Sequence, residues 1–496
     1  MINSFIEGKI RENFGFKPTE EQSAAIGQIA LFLTSESSKE AFLLRGYAGT
    51  GKTTLVGALV KTLDQLKQHV VLMAPTGRAA KVFALYSGHP AYTIHRRIYR
   101  QKSLTNDADF SLNDNLARNT LFIVDEASMI GDDASGSVFG SGHLLDDLIT
   151  FVYSGEGCRL LMLGDTAQLP PVGQEESPAL QREVLQMYGL KVQVVQLTEV
   201  MRQGHLSGVL ENATVIRRRV ADLSMPDEYT DFDALEQPVR LHCRKDVIAI
   251  NGSMLIDTLS DAYDQVGDDD TIVICRTNKN ANIYNRGIRA TILYREEELT
   301  TGDRIMVVKN NYFWTEQEAA AAAAGNEPYT GPTFLANGDM AVVRRIRRER
   351  EMYGFRFADV TLDFPDYDDF ELEATVLLDT LTSEAPSLTK KDADRLFNAV
   401  MEDYADITVK AERYKEMRRN PYFNALQIKS AYAVTCHKAQ GGQWHTVFLD
   451  RGWIPPETIG TPEYYRWLYT AFTRATHRVY LVNWPAAERD GAIIED

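Results

Sequence analysis

The chain is short of cysteine, of long apolar runs and of basic residues, and each shortage excludes something. Its four cysteines, Cys158, Cys243, Cys275 and Cys436, are spread over 496 residues. That spacing offers neither a disulfide framework nor a C-x-x-C metal site, so reduced and mostly buried thiols are expected. No run of about 18 apolar residues occurs, and Met1-Ile2-Asn3-Ser4-Phe5 has no basic region followed by an apolar core. No membrane partner and a cytoplasmic location are therefore expected. Lys and Arg number 53 against 69 Asp and Glu, a net charge of −16. Such a balance argues mildly against indiscriminate binding to nucleic acid, but only mildly, because a strand feels the local groove and not the total charge. The acid is uneven: Asp363, Asp366, Asp368, Asp369, Glu371 and Glu373 follow the basic run Arg344-Arg345-Ile346-Arg347-Arg348. A solvated acidic face is the expectation for the first of these runs.

What the chain does have is 44% hydrophobic and 25% charged residues, the proportions of a soluble globular protein, and length for about three domains. One stretch organises it. Ala41-Phe42-Leu43-Leu44 reads as a buried strand, Leu55 to Val60 as the core face of a helix, and between them lies Gly46-Tyr47-Ala48-Gly49-Thr50-Gly51-Lys52-Thr53-Thr54. In that context the G-x-x-x-x-G-K-T pattern is a P-loop. Its glycines let backbone N–H groups wrap a triphosphate at a helix N-terminus, Lys52 reaches the β- and γ-phosphates, and the Thr53 hydroxyl is placed for Mg²⁺.

Other strand ends supply the remaining chemistry. Leu121-Phe122-Ile123-Val124 delivers Asp125-Glu126. Asp125 is expected to share Mg²⁺ with Thr53, and Glu126 to orient and deprotonate the attacking water. Arg159 to Gly164 ends near Gln168, positioned to sense a γ-phosphate, and Val192 to Leu197 leads to Arg202, a candidate cation for developing phosphoryl charge. Upstream, Thr19-Glu20-Glu21-Gln22 opens a helix, and the Gln22 amide suits the N6/N7 edge of adenine. Val70 to Pro75 runs into Thr76 and Arg78, which lie where ligands bind in open α/β sheets. Thr93, His95 and the arginines after it suit a phosphate backbone. Residues 101–118 are polar and unperiodic.

Beyond about 205 a second α/β layer is expected, without a P-loop of its own. Short β-type runs over 301–382 (Arg304–Val308, Met340–Val343, Ala358–Leu362, Ala374–Leu378) read as a small barrel. Within it Thr315-Glu316-Gln317-Glu318 reads as the cap of a short helix through Ala324, ending at Gly325. Thr389 caps a helix with Leu396, Phe397, Val400, Met401 and Tyr404 on one face, the start of a helical arm.

Taken together with His437-Lys438-Ala439-Gln440-Gly441 and Tyr469-Thr470-Ala471-Phe472-Thr473-Arg474-Ala475, these blocks resemble, in order, the motifs of superfamily 1 helicases, and above all the RecD-like branch with its Dda-type 5′–3′ enzymes. The resemblance implies an α/β fold with two RecA-like P-loop NTPase domains, each a parallel sheet with flanking helices. The first would span 1–200 with a pin hairpin inserted at 96–119. The second would be split into 201–300 and 426–496 by an SH3-like barrel with a helical arm at 301–425. It implies an ATP- and Mg²⁺-dependent DNA helicase, monomeric, acting on single-stranded DNA and single/double-strand junctions. By the same likeness Arg202 and Arg474 would meet the γ-phosphate from the second domain, Gln22 would hold adenine, and Gly46, Ala48, Gly49, Thr50, Gly51, Lys52, Thr53 and Thr54 would cradle the nucleotide. Thr76, Arg78, Thr93, His95, Thr435, His437 and Lys438 would face the strand. Gln443 stands at or next to the place where related chains carry a ribose-binding Glu, and its amide can still hydrogen-bond a hydroxyl. An RNA helicase, or a DNA-dependent ATPase that loads without unwinding, stays open beside this reading.

Overall fold

A computed structural model describes residues 2–37, 39–101, 110–131, 141–200, 207–224, 237–332 and 334–491. In chain order the first eight strands are β1 (Glu40–Gly46), β2 (Val70–Ala74), β3 (Ala91–Thr93), β4 (Tyr99–Gln101), β5 (Phe110–Leu112), β6 (Leu121–Val124), β7 (Arg159–Gly164) and β8 (Lys191–Leu197). Six of them form an all-parallel sheet, ordered β3-β2-β6-β7-β1-β8. The central strands are apolar along their length because helices cover both faces. One face packs Ile26, Ile29, Phe32, Leu55 and Leu59 onto Phe42 and Leu44, and the other packs Leu145, Leu148 and Phe151 onto Leu43 and Phe122. β4 and β5 pair antiparallel in a small hairpin within the expected pin insertion, and its tip lies outside the described residues.

The second half begins with β9 (Val247–Ile250) and β10 (Thr271–Cys275). The chain then leaves to build a closed barrel from β11 (Arg304–Val307), β12 (Met340–Met352), β13 (Phe355–Phe364), β14 (Phe370–Leu377) and β15 (Leu426–Ser430). It returns for β16 (Ala433–Thr435), β17 (Trp444–Asp450) and β18 (Ala475–Val482). The second sheet is again parallel, ordered β16-β10-β17-β18-β9. The α/β class with two parallel sheets and an inserted barrel is thus what the chain adopts.

Three local expectations need revising. The barrel's closing strand, Leu426–Ser430, pairs with β11 and β14, on the far side of residue 425. The alanine-rich helix runs Phe313–Ala324, so Thr315 lies in its first turn, with its hydroxyl donating to the Tyr312 carbonyl at 2.9 Å instead of capping. The acidic run is not merely solvated. Asp363 of β13 accepts from Arg344 of the adjacent β12, and Glu373 of β14 reaches across β13 to accept from Arg347, so these two acids neutralise arginines of β12. The helical arm, Lys390–Glu402 capped by Thr389, packs Leu396 and Val400 onto Phe355 and Phe357 at one end of the barrel.

Of the cysteines, Cys158, Cys275 and Cys436 are buried and all four are unbonded thiols. Among the described residues no helix is long and apolar enough to cross a membrane.

Candidate active site at the seam between the sheets

β6, β7 and β1 are neighbours, so their carboxyl ends bring together Asp125-Glu126, the segment 165–169 and the P-loop. Open α/β sheets bind ligands at this edge. Gly49 and Gly51 have φ of 77° and 79°, left-handed values that let the loop curl before the helix Lys52–Gln65. Lys52 Nζ donates to the Tyr47 carbonyl at 2.9 Å and also to that of Gly46, so the ammonium rests on its own loop. Thr53 and Thr54 open the helix and are exposed.

Gln22 is 1% exposed, and both ends of its amide are engaged. Oε1 accepts from Thr19 N at 3.0 Å and Nε2 donates to the Thr50 carbonyl at 2.9 Å. Here the amide braces the P-loop against the helix Glu20–Thr34, where a free adenine-reading edge was expected.

Asp125 accepts from Glu126 N at 2.8 Å and from the Tyr86 hydroxyl. Glu126 itself has φ 51°, a strained backbone for a side chain with a Cβ. Burial raises the pKa of both carboxyls; Arg474 pulls that of Glu126 back down, and the Tyr86 hydrogen bond that of Asp125. Gln168 Oε1 and Ser128 Oγ are buried with no hydrogen-bond partner among the described residues, and they line a small cavity with Asp165, Thr166, Glu176 and Arg466.

The second half closes over this edge. The Tyr469 hydroxyl donates to Asp165 Oδ2 at 2.6 Å and accepts from Ala48 N of the P-loop at 2.8 Å. Thr470 Oγ1 accepts from Leu169 N at 2.8 Å, Gln440 Nε2 donates to the Leu169 carbonyl at 2.7 Å, and Arg466 donates to the Thr166 carbonyl. Ala167 and Leu169 are buried within the second half's own apolar core. Arg474 is 3% exposed and held by the carbonyls of Thr470 (3.1 Å) and Gly442 (3.2 Å). Arg217, on the helix Gly208–Ser224, stacks over the Tyr47 ring at 4.4 Å. Arg202 lies outside the described residues.

The candidate strand residues divide. Thr76 and Thr93 cap their own helices, accepting from Ala79 N and Arg96 N at 3.2 Å. Arg78 crosses the seam instead: it stacks 4.3 Å from the Trp444 ring and donates to the Gln443 carbonyl at 3.1 Å. His95 packs between Tyr99 and Phe334, and burial lowers its pKa to about 4, so the ring is neutral. In the second half Thr435 stands at the N-terminal cap position of the short helix Cys436–Ala439 without a side-chain cap bond among the described residues, and His437 is exposed. Lys438 Nζ is buried with no hydrogen-bond partner among the described residues, and its pKa is lowered by burial to about 8. The Gln443 side chain is exposed.

Residues 18–246 match the family described as AAA domain, and residues 430–482 the UvrD-like helicase C-terminal domain. Among curated relatives, the ATP-dependent RecD2 DNA helicase of Deinococcus radiodurans is 31% identical over 39% of this chain and 23% of its own length. The ATP-dependent DNA helicase dda of Enterobacteria phage T4 is 25% identical over 55% of this chain and 57% of its own. Over these stretches the chain is similar to ATP-dependent DNA helicases of the RecD2 and dda kind. It matches well under two thirds of the length of these relatives. A solved Pif1 helicase from Bacteroides, in complex with ADP-AlF3 and ssDNA, aligns over 96% of this chain and 95% of that one at 16% identity and TM-score 0.44, too loosely to carry an argument.

The seam residues to which the motifs assign no role are Gln440, Arg466, Tyr469 and Thr470. Three of them lie inside motif blocks, yet nothing in a block says which side chain crosses to the other sheet. Arg217 has no signal at all, sitting in a run of three arginines on a helix.

Proposed function

We propose that this chain is an ATP-dependent DNA helicase that moves 5′ to 3′ along single-stranded DNA and unwinds the duplex ahead of it. The observation that carries this is the seam: P-loop, carboxylates and Gln168 on one sheet, with Tyr469 reaching them from the other and Arg474 close enough to pull down the pKa of Glu126. A nucleotide seated there senses whether the two halves are closed, which is what coupling hydrolysis to stepping requires. Lys52 turns from its loop carbonyls to the phosphates, Glu126 takes the proton of the attacking water, and Arg474 offsets charge on the γ-phosphoryl. Gln168, with its unpaired amide oxygen, reports the state of that phosphate to segment 165–169 and so to Gln440 and Thr470. Thr53 and Asp125 would hold Mg²⁺, whose charge neutralises the phosphates. Asp125 fits that task, since it is a buried carboxylate with only neutral hydrogen-bond partners. Arg202 joins Arg474 in this reading, and Thr435, His437 and Lys438 hold the strand with Thr76, Thr93 and His95.

The test pairs a forked-duplex unwinding assay, with tails of either polarity, with ATP turnover titrated by single-stranded DNA. Wild type should unwind from a 5′ tail, and Lys52→Ala should lower stimulated turnover by about 100-fold or more. Turnover indifferent to single-stranded DNA would remove the motor reading. RNA stimulating as well as DNA would move it to an RNA translocase.

A further inference from the structure

Of the five tryptophans, Trp444, Trp467 and Trp484 are buried, and Trp314 is partly buried with its indole N–H on the Asn424 carbonyl. Trp453 is 82% exposed. A lone exposed apolar side chain is ordinary; its location is what matters here. β16, β10 and β17 are adjacent, and Thr435, Cys275 and Asp450 stand in register at their carboxyl ends. The segments leaving that edge therefore carry His437-Lys438, Arg276 and Gly452-Trp453 side by side. Gly452 has φ 62° and lies so close to Asn280 that a Cβ would sit 2.7 Å from its amide nitrogen. This tight left-handed turn, which favours glycine, sets the direction in which Trp453 leaves the sheet. On the segments leaving that same edge, Lys438 Nζ and Arg276 Nη1 are buried donors with no acceptor among the described residues. Arg276 is fixed by stacking over the Trp467 ring at 5.4 Å. Unsatisfied cationic donors and an exposed flat ring carried by one sheet edge match a ligand that alternates anionic groups with flat faces, as a single-stranded nucleic acid does.

We propose that Trp453 is a stacking platform for a nucleobase of the bound strand, with Arg276 and Lys438 on the flanking phosphates. The proposal rests on the helicase reading above and adds a residue and a contact type to it. A base stack is indifferent to sequence and grips through the base, whereas phosphate contacts grip through the backbone.

Tryptophan fluorescence is the direct probe, because the other four indoles are wholly or partly covered. The full chain is titrated with an oligothymidylate of about 16 nucleotides, and affinity is followed independently by anisotropy of a labelled strand. Wild type should be quenched on binding. Trp453→Phe should lose that quench while binding within a few-fold of wild type, and Trp453→Ala should bind roughly 5- to 150-fold more weakly. A strand with an abasic site at the stacked position should weaken wild type and leave Trp453→Ala unchanged. A quench that survives in Trp453→Phe, or wild-type affinity in Trp453→Ala, overturns the platform while leaving the helicase reading intact. If wild type shows no anisotropy change with any strand, the helicase reading itself falls.

Discussion

Tyr469→Phe removes one oxygen from the middle of the seam. The hydroxyl is fully buried (0% exposed) and bridges a carboxylate and a P-loop N–H, at 2.6 and 2.8 Å. Burial and Asp165 both push the phenol's pKa up, so it stays a donor at any working pH. A hydrogen bond to a charged acceptor contributes about 1.5–3 kcal/mol and a neutral one about 0.5–1.5. The variant leaves Asp165 Oδ2 and Ala48 N without partners for as long as the halves stay closed. Opening the seam lets water replace both bonds, so the balance between closed and open should move by about 2–4 kcal/mol, or roughly 30- to 1000-fold. Amide hydrogen exchange reads that balance directly. Peptides covering 46–54 and 165–170 should lose protection by this order, while the barrel core, Val343 to Leu362, should not change. DNA-stimulated ATP turnover should fall more than DNA-free turnover, since only the former needs repeated closure. Exchange within twofold of wild type in both peptides would refute the argument that this hydroxyl fastens the P-loop to the second sheet.

The other predictions are briefer. Glu126→Gln should bind nucleotide and not turn it over; in wild type the acid limb of the pH–rate profile should lie above the ordinary glutamate range, because burial raises this carboxyl and the base must be ionised to work. Arg474→Ala should move that limb to still higher pH as well as slowing turnover, a shift a merely structural arginine would not cause. Asp339, buried in the barrel with Tyr367 and Ala336 N as donors at 2.8 and 2.7 Å, has its pKa raised by burial to about 7. Its contribution to stability is therefore fully present below about pH 4 and lost as pH rises through about 7, so Asp339→Asn should raise the melting temperature at pH 8 and leave it nearly unchanged at pH 4. Gly442→Ala would set a Cβ 2.5 Å from the Trp444 ring and 2.8 Å from Arg78 Nε; overpacking of that kind costs about 1–3 kcal/mol and should loosen the seam in the same exchange assay.

Much of this architecture was legible in the sequence because its signals are local. Leu121–Val124 and Arg159–Gly164 are unbroken apolar runs, and the P-loop's glycines sit where a strand turns into a helix. Thr19 caps its helix with the reciprocal Gln22 bond that its spacing suggests. What was not legible depends on partners far away in the chain. Leu426–Ser430 reads like a run-up to the next motif, and only closure onto β11 and β14 makes it a barrel strand. Asp363 and Glu373 look solvated until the barrel brings the arginines of β12 within reach of them. Thr315 has the composition of a cap, but Tyr312 closes the first turn and draws it inside. At the site the gaps have the same origin. Gln22 and Arg78 carry the right groups for adenine and phosphate, yet tertiary packing engages one with Thr50 and the other with Gln443 and Trp444.

The chemistry of the seam is lopsided. Tyr469, Thr470, Gln440 and Arg466 of the second half use side chains, and except at Asp165 and Glu176 they meet the main chain of the first half, at Ala48, Leu169 and Thr166. Main-chain groups are the same whatever residue bears them. Position 48 or 166 can therefore change its side chain without altering the bond it makes, whereas the four residues opposite cannot. In a saturation screen for motor activity the two banks of the seam should differ in tolerance, permissive on the P-loop side and strict on the other. Across these four residues the specificity of the closure is thus written mostly in the half that carries no P-loop, and Arg78, whose side chain crosses the other way, is the counterpart on the first half.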